Sequence, residues 1–378
     1  MLTQTQVRQL YRETGEAQGL PGFVYTSEDF ARAEHEKLFA RTWMCAGYAH
    51  EIAQPGDVLP RTVAGVPILF THDRDGQIGC FHNICTHRGS LLVPEAKSGA
   101  QTLQCRYHAW TFDLAGNLRA TPHWGGHNQP KANGFDRSCH GLKPVRMARW
   151  HDWLFVNLDG NAPPFEDYAA PFQKHFDEYD LDQAVWTTCL PFDINGNWKL
   201  VAENYLEVLH LPYVHTVLAE AAPFQEHDII TDGACLGTVI DTGLPASWSE
   251  DNLPRWPGIA ANAQNAKNMA LFPNFKLVIG PDHCCSMVEF PAGASKSHQR
   301  WDFYFVGEGG RDARYEAARD AIIEFYRKTN VEDFEAVEGV HAGHMSPAMT
   351  GAQFSGVWEG AVHHFQKLVA DAMVDDNT

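Results

Sequence analysis

Two short segments, "CTHRGS" at 85–90 and "CRYHAW" at 105–110, hold the residues best suited to chemistry. Each offers one thiol and one imidazole: Cys85 and His87 in the first, Cys105 and His108 in the second. Two such loops facing each other make a four-ligand site. Zinc accepts a Cys2His2 set, and chance is a further reading in a chain with 20 histidines. Zinc fingers, however, usually pair Cys with Cys and His with His, so that each arm is homogeneous. Here each arm is mixed. A Rieske [2Fe–2S] centre needs two thiolates on one iron and two imidazoles on the other. Mixed arms let both loops grip both irons, and the spacing favours this reading. Arg88 and Arg106 add positive charge beside the loops, which suits an acidic electron donor; ordinary solvated arginines are the plain alternative.

A second group lies in "NYLEVLHLPYVH" at 204–215. A helix over 198–210 puts Trp198, Val201, Tyr205 and Val208 on an apolar stripe, and Glu203, Glu207 and His210 on the opposite face. A surface helix with a wet polar face is the bland reading. Positions five apart on a helix diverge by roughly 140°, so His210 and His215 cannot converge on an unbroken one. Pro212 interrupts the hydrogen-bond ladder and lets the chain turn His215 back. Two histidines and one carboxylate with open positions form the facial triad of a non-heme Fe(II) oxygenase. The carboxylate must come from elsewhere in the chain. In "TNVEDFEAVEGVH", Asn330 is expected to cap a new helix with Asp333 in its first turn, where an acid is also favoured by the helix dipole alone.

The elements around these residues follow from pattern. Thr26 or Ser27 caps a helix through "TSEDFARAEHEKLFARTW", with Phe30, Leu38 and Phe39 facing a core. From about residue 43 to 160 the chain turns to short β-type runs. One hairpin turns at Asp75-Gly76 and another near Gly116-Asn117. "WLFVNLDG" is a strand, and Pro163-Pro164 suit a linker. Mixed helices and strands follow, including a clear helix with Tyr315, Ala318, Ile322 and Phe325 on one face. The expected fold class is α+β: an N-terminal helical arm (1–42), a small all-β domain (43–160) and a larger α+β domain (161–378).

With 378 residues, 44% of them hydrophobic, the chain can bury a large core. Its net charge of −18 disfavours coating nucleic acid or anionic membrane. The opening "MLTQTQVRQLYRETG" has no apolar h-region, so no signal peptide is expected, and no run is long enough to span a membrane. Nine cysteines without framework spacing, Cys85 and Cys105 excepted, read as reduced thiols in a cytoplasmic protein.

"CTHRGSLL", "CRYHAWTFDLAGNL" and "ENYLEVLHLPYVH" resemble the segments of Rieske non-heme iron oxygenases, the ring-hydroxylating oxygenase α subunits. The family usually has Pro where Arg106 stands and often Gly where Ala109 stands; neither departure touches a ligand. The resemblance implies a [2Fe–2S] cluster on Cys85, His87, Cys105 and His108. It also implies a mononuclear Fe(II) on His210, His215 and Asp333, with Glu338 and Glu332 as reserves, in a helix-grip-type catalytic domain with an antiparallel sheet. Glu207 is implied as a bridge from His210 to His108 of a neighbouring subunit in a head-to-tail homotrimer. No G-x-G-x-x-G fingerprint follows a strand, so electrons come from a separate NAD(P)H-dependent reductase, with a ferredoxin as an optional carrier. Glu207, where many relatives have Asp, resembles the branch acting on carnitine, choline and betaines. That implies O2-dependent N-demethylation or C–N cleavage. A trimethylammonium group wants an aromatic box, for which Tyr205, Tyr213, Trp248, Trp256 and Phe272 are candidates. Aromatic ring hydroxylation is the alternative, and a Rieske electron carrier without oxygenase activity or a zinc-dependent binding module the rivals from other classes.

Overall fold

The computed structural model describes residues 2–131, 133–240, 253–260 and 265–374. The chain forms two units, one of Met1–Leu38 with Pro163–Thr378 and one of Phe39–Ala162. Their charges differ in sign. Residues 39–162 hold 12 Lys and Arg against 9 Asp and Glu, and the remainder 17 against 38. Among the described residues no helix is long and apolar enough to cross a membrane.

The N-terminal segment carries α1 (Gln4–Leu10), α2 (Phe23–Thr26) and α3 (Glu28–Glu34). Ser27 caps α3 by accepting from the Phe30 N–H. Phe30, Leu38 and Phe39 are buried, as the pattern requires. This segment ties into helices far along the chain. The Leu20 N–H donates to Gln366 at 2.7 Å, and the Tyr25 hydroxyl to Glu203 at 2.7 Å. Lys199 and Glu34 form an ion pair at 2.7 Å with side chains 0% and 1% exposed.

The unit of residues 39–162 contains β1 (Met44–Tyr48), β2 (Val58–Val63), β3 (Val66–His72), β4 (Ile78–His82), β5 (Leu103–Gln104), β6 (Thr111–Phe112), β7 (Leu118–Ala120), β8 (Arg146–Trp150) and β9 (Trp153–Asn157). They form three antiparallel three-stranded sheets, β1-β9-β8, β2-β3-β4 and β5-β6-β7. Both expected hairpins are present, with Gly76 and Gly116 at φ 79° and 84°. Such angles carry no Cβ clash in glycine. Leu69, Leu103, Trp110 and Phe112 form the core, and Cys85 and Cys105 sit within it.

The larger unit continues with α4 (Phe165–Gln173), β10 (Ala184–Ile194), α5 (Trp198–Leu206), α6 (Leu211–Val214), α7 (Thr216–Ala221), β11 (His227–Asp232) and β12 (Cys235–Ile240). After these come β13 (Ala266–Leu271), β14 (Phe275–Ile279), β15 (His283–Pro291), β16 (Ser297–Val306), α8 (Glu316–His344) and α9 (Gly360–Met373). One antiparallel sheet runs β10-β16-β15-β14-β13-β12-β11. Ala318, Ile322 and Tyr326 of α8 pack against Trp301, Phe303 and Phe305 of β16.

Three expectations are corrected here. No new helix begins at Asn330, because α8 runs unbroken over 29 residues. Asn330 is buried and donates to Gln299 on the sheet at 3.1 Å, so its side chain is not free to cap. The helix expected to reach 210 ends at Leu206, with Glu207 extended at φ −120°, ψ 156°. Pro212 therefore does not break a helix. It sits at the start of α6, where the missing N–H is tolerated. The wet polar face of the bland reading is not found either: half-buried Glu203 accepts from the Tyr25 hydroxyl, and Lys199, which the pattern did not single out, is buried against Glu34.

Candidate metal centres

The two Cys/His loops have one backbone design. In each, the cysteine N–H donates to a carbonyl five residues on, Ser90 or Trp110, at 2.8 Å. In each, the cysteine carbonyl accepts from the residue four on, Gly89 at 2.9 Å or Ala109 at 3.0 Å. That fourth residue is left-handed in both, with φ 71° at Gly89 and 56° at Ala109. The glycine common at the Ala109 position in the resembling family thus has a steric reason.

These turns aim backbone N–H groups at the sulfurs, those of His87 and Arg88 at Cys85 and those of Tyr107 and His108 at Cys105. Both thiols are buried and close enough to share a hydrogen bond. Burial pushes Cys85 up to about 11. Burial also opposes ionisation of Cys105, but the N–H groups outweigh it and lower its pKa. Of the two thiols, Cys105 is the more readily ionised. The His87 and His108 rings lie 4.6 Å apart. The His87 ring stacks on Trp110 at 4.8 Å and 10°, and its Nδ1 is buried without a partner among the described residues. Such an atom is expensive to leave unsatisfied. Two sulfurs set up to carry negative charge, beside two imidazoles of which one has an unused buried nitrogen, fit a [2Fe–2S] cluster. Arg88, Arg106, Tyr107 and His108 are exposed.

The second group converges as well. His210, His215 and Asp333 each offer a ligand atom, all within 4.8 Å of one another. The imidazole rings lie 5.1 Å apart at 78°. His215 Nε2 is 2.9 Å and His210 Nε2 3.6 Å from Asp333 Oδ1. Each outer nitrogen meets a carboxylate: His210 Nδ1 lies 2.5 Å from Glu207 Oε1, and His215 Nδ1 2.8 Å from Glu332 Oε2. Carboxylates on the outer nitrogens hold the tautomer in which both Nε2 lone pairs face inward. Asn204 donates to Asp333 at 3.2 Å. Burial opposes a charge on His215, but Asp333 and Glu332 outweigh it and raise its pKa. The cluster favours a cation at its centre and fits a divalent iron.

Glu207 has a role that sequence reasoning missed. It follows the end of α5, and its Oε2 accepts from the backbone N–H groups of Leu209 and, at 3.2 Å, His210. It thus caps the turn leading into α6 while holding the His210 ring. Of the reserves for the third ligand, Glu332 orients His215 instead. Glu338 accepts from the Asn195 backbone and side-chain amides at 3.1 and 3.0 Å and takes no part.

Glu207, His210, His215 and Asp333 all border a cavity of about 160 Å³. Its walls come from α5, α8 and one sheet face, with Tyr205, Trp301, Phe325, Tyr326 and Phe334 as aromatic components. Of the described members of the aromatic box, only Tyr205 is found there. Tyr213 is 85% exposed. The Trp256 indole donates to the Gly280 carbonyl at 2.8 Å, and Phe272 packs on Phe365. Trp248 lies outside the described residues. The Tyr205 ring is covered by the chain's own Lys276, whose Nζ is 4.8 Å from its centroid. Lys276 also lines the cavity, and sequence reasoning passed it by. The available signal was a lone lysine inside the apolar strand "FKLVI".

Residues 42–131 match the Rieske [2Fe-2S] domain family and residues 173–375 the ring-hydroxylating α-subunit catalytic domain family. The chain is similar to the carnitine monooxygenase oxygenase subunit of Acinetobacter baumannii, with 29% identity over 366 residues and 93% of each chain covered. It superposes on the quaternary ammonium Rieske monooxygenase CntA in complex with L-carnitine with a TM-score of 0.78 and 25% identity, covering 97% and 99% of the two chains. Naphthalene 1,2-dioxygenase from Rhodococcus shares the fold, with a TM-score of 0.77 at 19% identity over 100% of both chains. A bare electron carrier would have no use for the catalytic domain. The chain belongs to the ring-hydroxylating oxygenase α-subunit family and is a Rieske oxygenase, an O2-dependent enzyme that carries a [2Fe–2S] cluster and a mononuclear iron.

Proposed function

We propose that this chain is the terminal oxygenase of a multicomponent system that hydroxylates a quaternary amine. The products would be formaldehyde and a demethylated amine, or the fragments of C–N cleavage. Cys85, His87, Cys105 and His108 hold the cluster, and His210, His215 and Asp333 hold the iron. The observation that carries this reading is the convergence of His210, His215 and Asp333 from two distant segments on one cavity. The likeness to carnitine-oxidising proteins supports the substrate class.

The groups held by these residues would supply single-electron transfer at the Cys/His loops and dioxygen activation at the His/Asp site. The residues of the chain do the rest. Glu207 and Glu332 fix the imidazole tautomers. Asn204 holds the Asp333 carboxylate. The apolar walls limit water around the reacting carbon, and Trp301 and Tyr326 are aromatic side chains on those walls, of the type that suits an N-methyl cation.

Glu207 links His210 to His108 of the partner subunit in a head-to-tail homotrimer. The opposite charges of the two units support such docking, and a closed ring is an allowed assembly. An NAD(P)H-dependent reductase, directly or through a ferredoxin, delivers electrons to the exposed side of the cluster, where Arg88 and Arg106 lie. The functional division is an arm at 1–42, a Rieske domain at 43–160 and a catalytic domain at 161–378; the unit boundaries at 38/39 and 162/163 support it. Nine cysteines without framework spacing support a cytoplasmic setting.

The test is a single turnover. Holoenzyme is reduced anaerobically, mixed with a quaternary amine or an arene, and exposed to oxygen without a reductase. Formaldehyde or C–N cleavage from a betaine or carnitine supports the proposal. A diol or phenol from the arene, with no product from any amine, replaces it with ring hydroxylation, which the aromatic walls also accommodate.

A further inference from the structure

The cavity floor contains a buried ion pair. Lys276, in the middle of the sheet, is 3% exposed, and its partner Glu289 is 0% exposed. Burying two charges is expensive and by itself adds little stability over an apolar pair. The arrangement of this pair is directional. Lys276 stands abreast of Met287 and Trp301 across β14, β15 and β16, and all three line the cavity. Glu289, two residues beyond Met287, does not line it. The cationic end borders the cavity, and the carboxylate stands beside it on the same sheet face, outside the lining.

The donor count points the same way. An ammonium has three N–H groups. One goes to Glu289 Oε1 and one to the Val201 carbonyl at 3.3 Å. The third has no acceptor among the described residues. The Glu289 carboxylate is held in place by Gln299 at 3.2 Å, and Gln299 in turn by Asn330 at 3.1 Å. Asn330 lies one helical turn before Asp333, so the ammonium is tied to the element that presents the third metal ligand.

We infer that Lys276 is an anion anchor and that the substrate of this cavity carries a carboxylate. A plain cation such as choline offers the third N–H group no acceptor. A zwitterion such as γ-butyrobetaine gives the third donor its acceptor. The inference rests on the reading of this cavity as the substrate site and separates carboxylated amines from uncharged-tail ones.

The test is anaerobic calorimetry on Fe(II)-loaded enzyme with four ligands: γ-butyrobetaine, its carboxamide, choline, and the all-carbon isostere of γ-butyrobetaine, which keeps the carboxylate and replaces the quaternary nitrogen by carbon. Wild type is expected to bind γ-butyrobetaine at least roughly tenfold more tightly than the carboxamide, the scale of one charge-assisted hydrogen bond. Lys276→Met with Glu289→Gln, which leaves no naked charge, should bind the two alike. Wild type binding the carboxamide and choline as tightly as γ-butyrobetaine would overturn the anchor and leave the amine reading intact. This comparison needs no variant, so a misfolded variant does not shield the inference. Binding of the carboxylate isostere without binding of any quaternary amine would sustain the anchor and remove the amine reading.

Discussion

Replacing Glu207 separates two jobs that one carboxylate performs. Its Oε2 receives the Leu209 and His210 N–H groups and its Oε1 meets His210 Nδ1. Glu207→Ala removes all three contacts. Loss of a side-chain cap costs about 1 kcal/mol, with a range of roughly 0.5–2. Loss of the carboxylate behind a metal-bound histidine lowers metal affinity by about 10- to 100-fold. Glu207→Gln retains an oxygen for the backbone N–H groups but gives up the anionic contact to the ring. The Gln variant should therefore melt within about 0.5 kcal/mol of wild type, while the Ala variant loses about 1–2 kcal/mol. Both should lose iron affinity. Stability is read by urea unfolding of metal-free protein and affinity by competitive iron titration with a chelator. Wild-type iron affinity in both variants, or equal stability of Ala and wild type, would refute the double role.

Other positions give independent tests. Ala109, at φ 56°, carries a left-handed penalty that glycine avoids, so Ala109→Gly should stabilise the protein by roughly 0.5–1 kcal/mol in thermal unfolding after the glycine's greater chain entropy is subtracted. Burial raises Glu203 from 4.5 to about 7, with the Tyr25 hydroxyl and Lys199 opposing the shift. The folded form then binds the proton more tightly than the unfolded one, so stability falls as pH rises from about 4.5 to about 7, by up to roughly 3 kcal/mol. Glu203→Gln should remove that part of the pH dependence in urea unfolding at pH 5 and pH 8; an unchanged difference would contradict the buried-acid account. Lys199→Met leaves the Glu34 carboxylate buried without its cation and should cost about 3–5 kcal/mol in urea unfolding. Adding Glu34→Gln should recover most of it, and no recovery would place the loss in packing instead.

The candidate metal groups were legible because metal chemistry restricts residue type and spacing. Mixed Cys/His arms, and two histidines that cannot share a helix face, both point to metals, whereas Asp333 came from the resemblance. Local hairpins were legible for a related reason: Gly76 and Gly116 occupy conformations that few residues tolerate. What was missed depends on partners distant in sequence. Asn330 looks like a helix cap until Gln299, 31 residues away, claims its amide. Glu203 and Lys199 look solvated until Tyr25 and Glu34 cover them. Pro212 looks like the breaker, yet the break comes earlier because Glu207 turns back to cap the next turn. The cavity wall was least legible. Trp256 and Phe272 are as aromatic as Trp301 and Tyr326, yet Trp301 reaches the cavity from β16 and Tyr326 from α8, a choice made by tertiary packing.

The central claim is that two separate residue sets hold two separate iron groups, and metal stoichiometry tests it most directly. Anaerobically reconstituted protein should contain about three irons and two acid-labile sulfides per chain. Asp333→Ala should drop to about two irons with both sulfides and the Rieske absorption retained. Zinc in either site of the wild type, or a full iron complement in Asp333→Ala, would contradict the account.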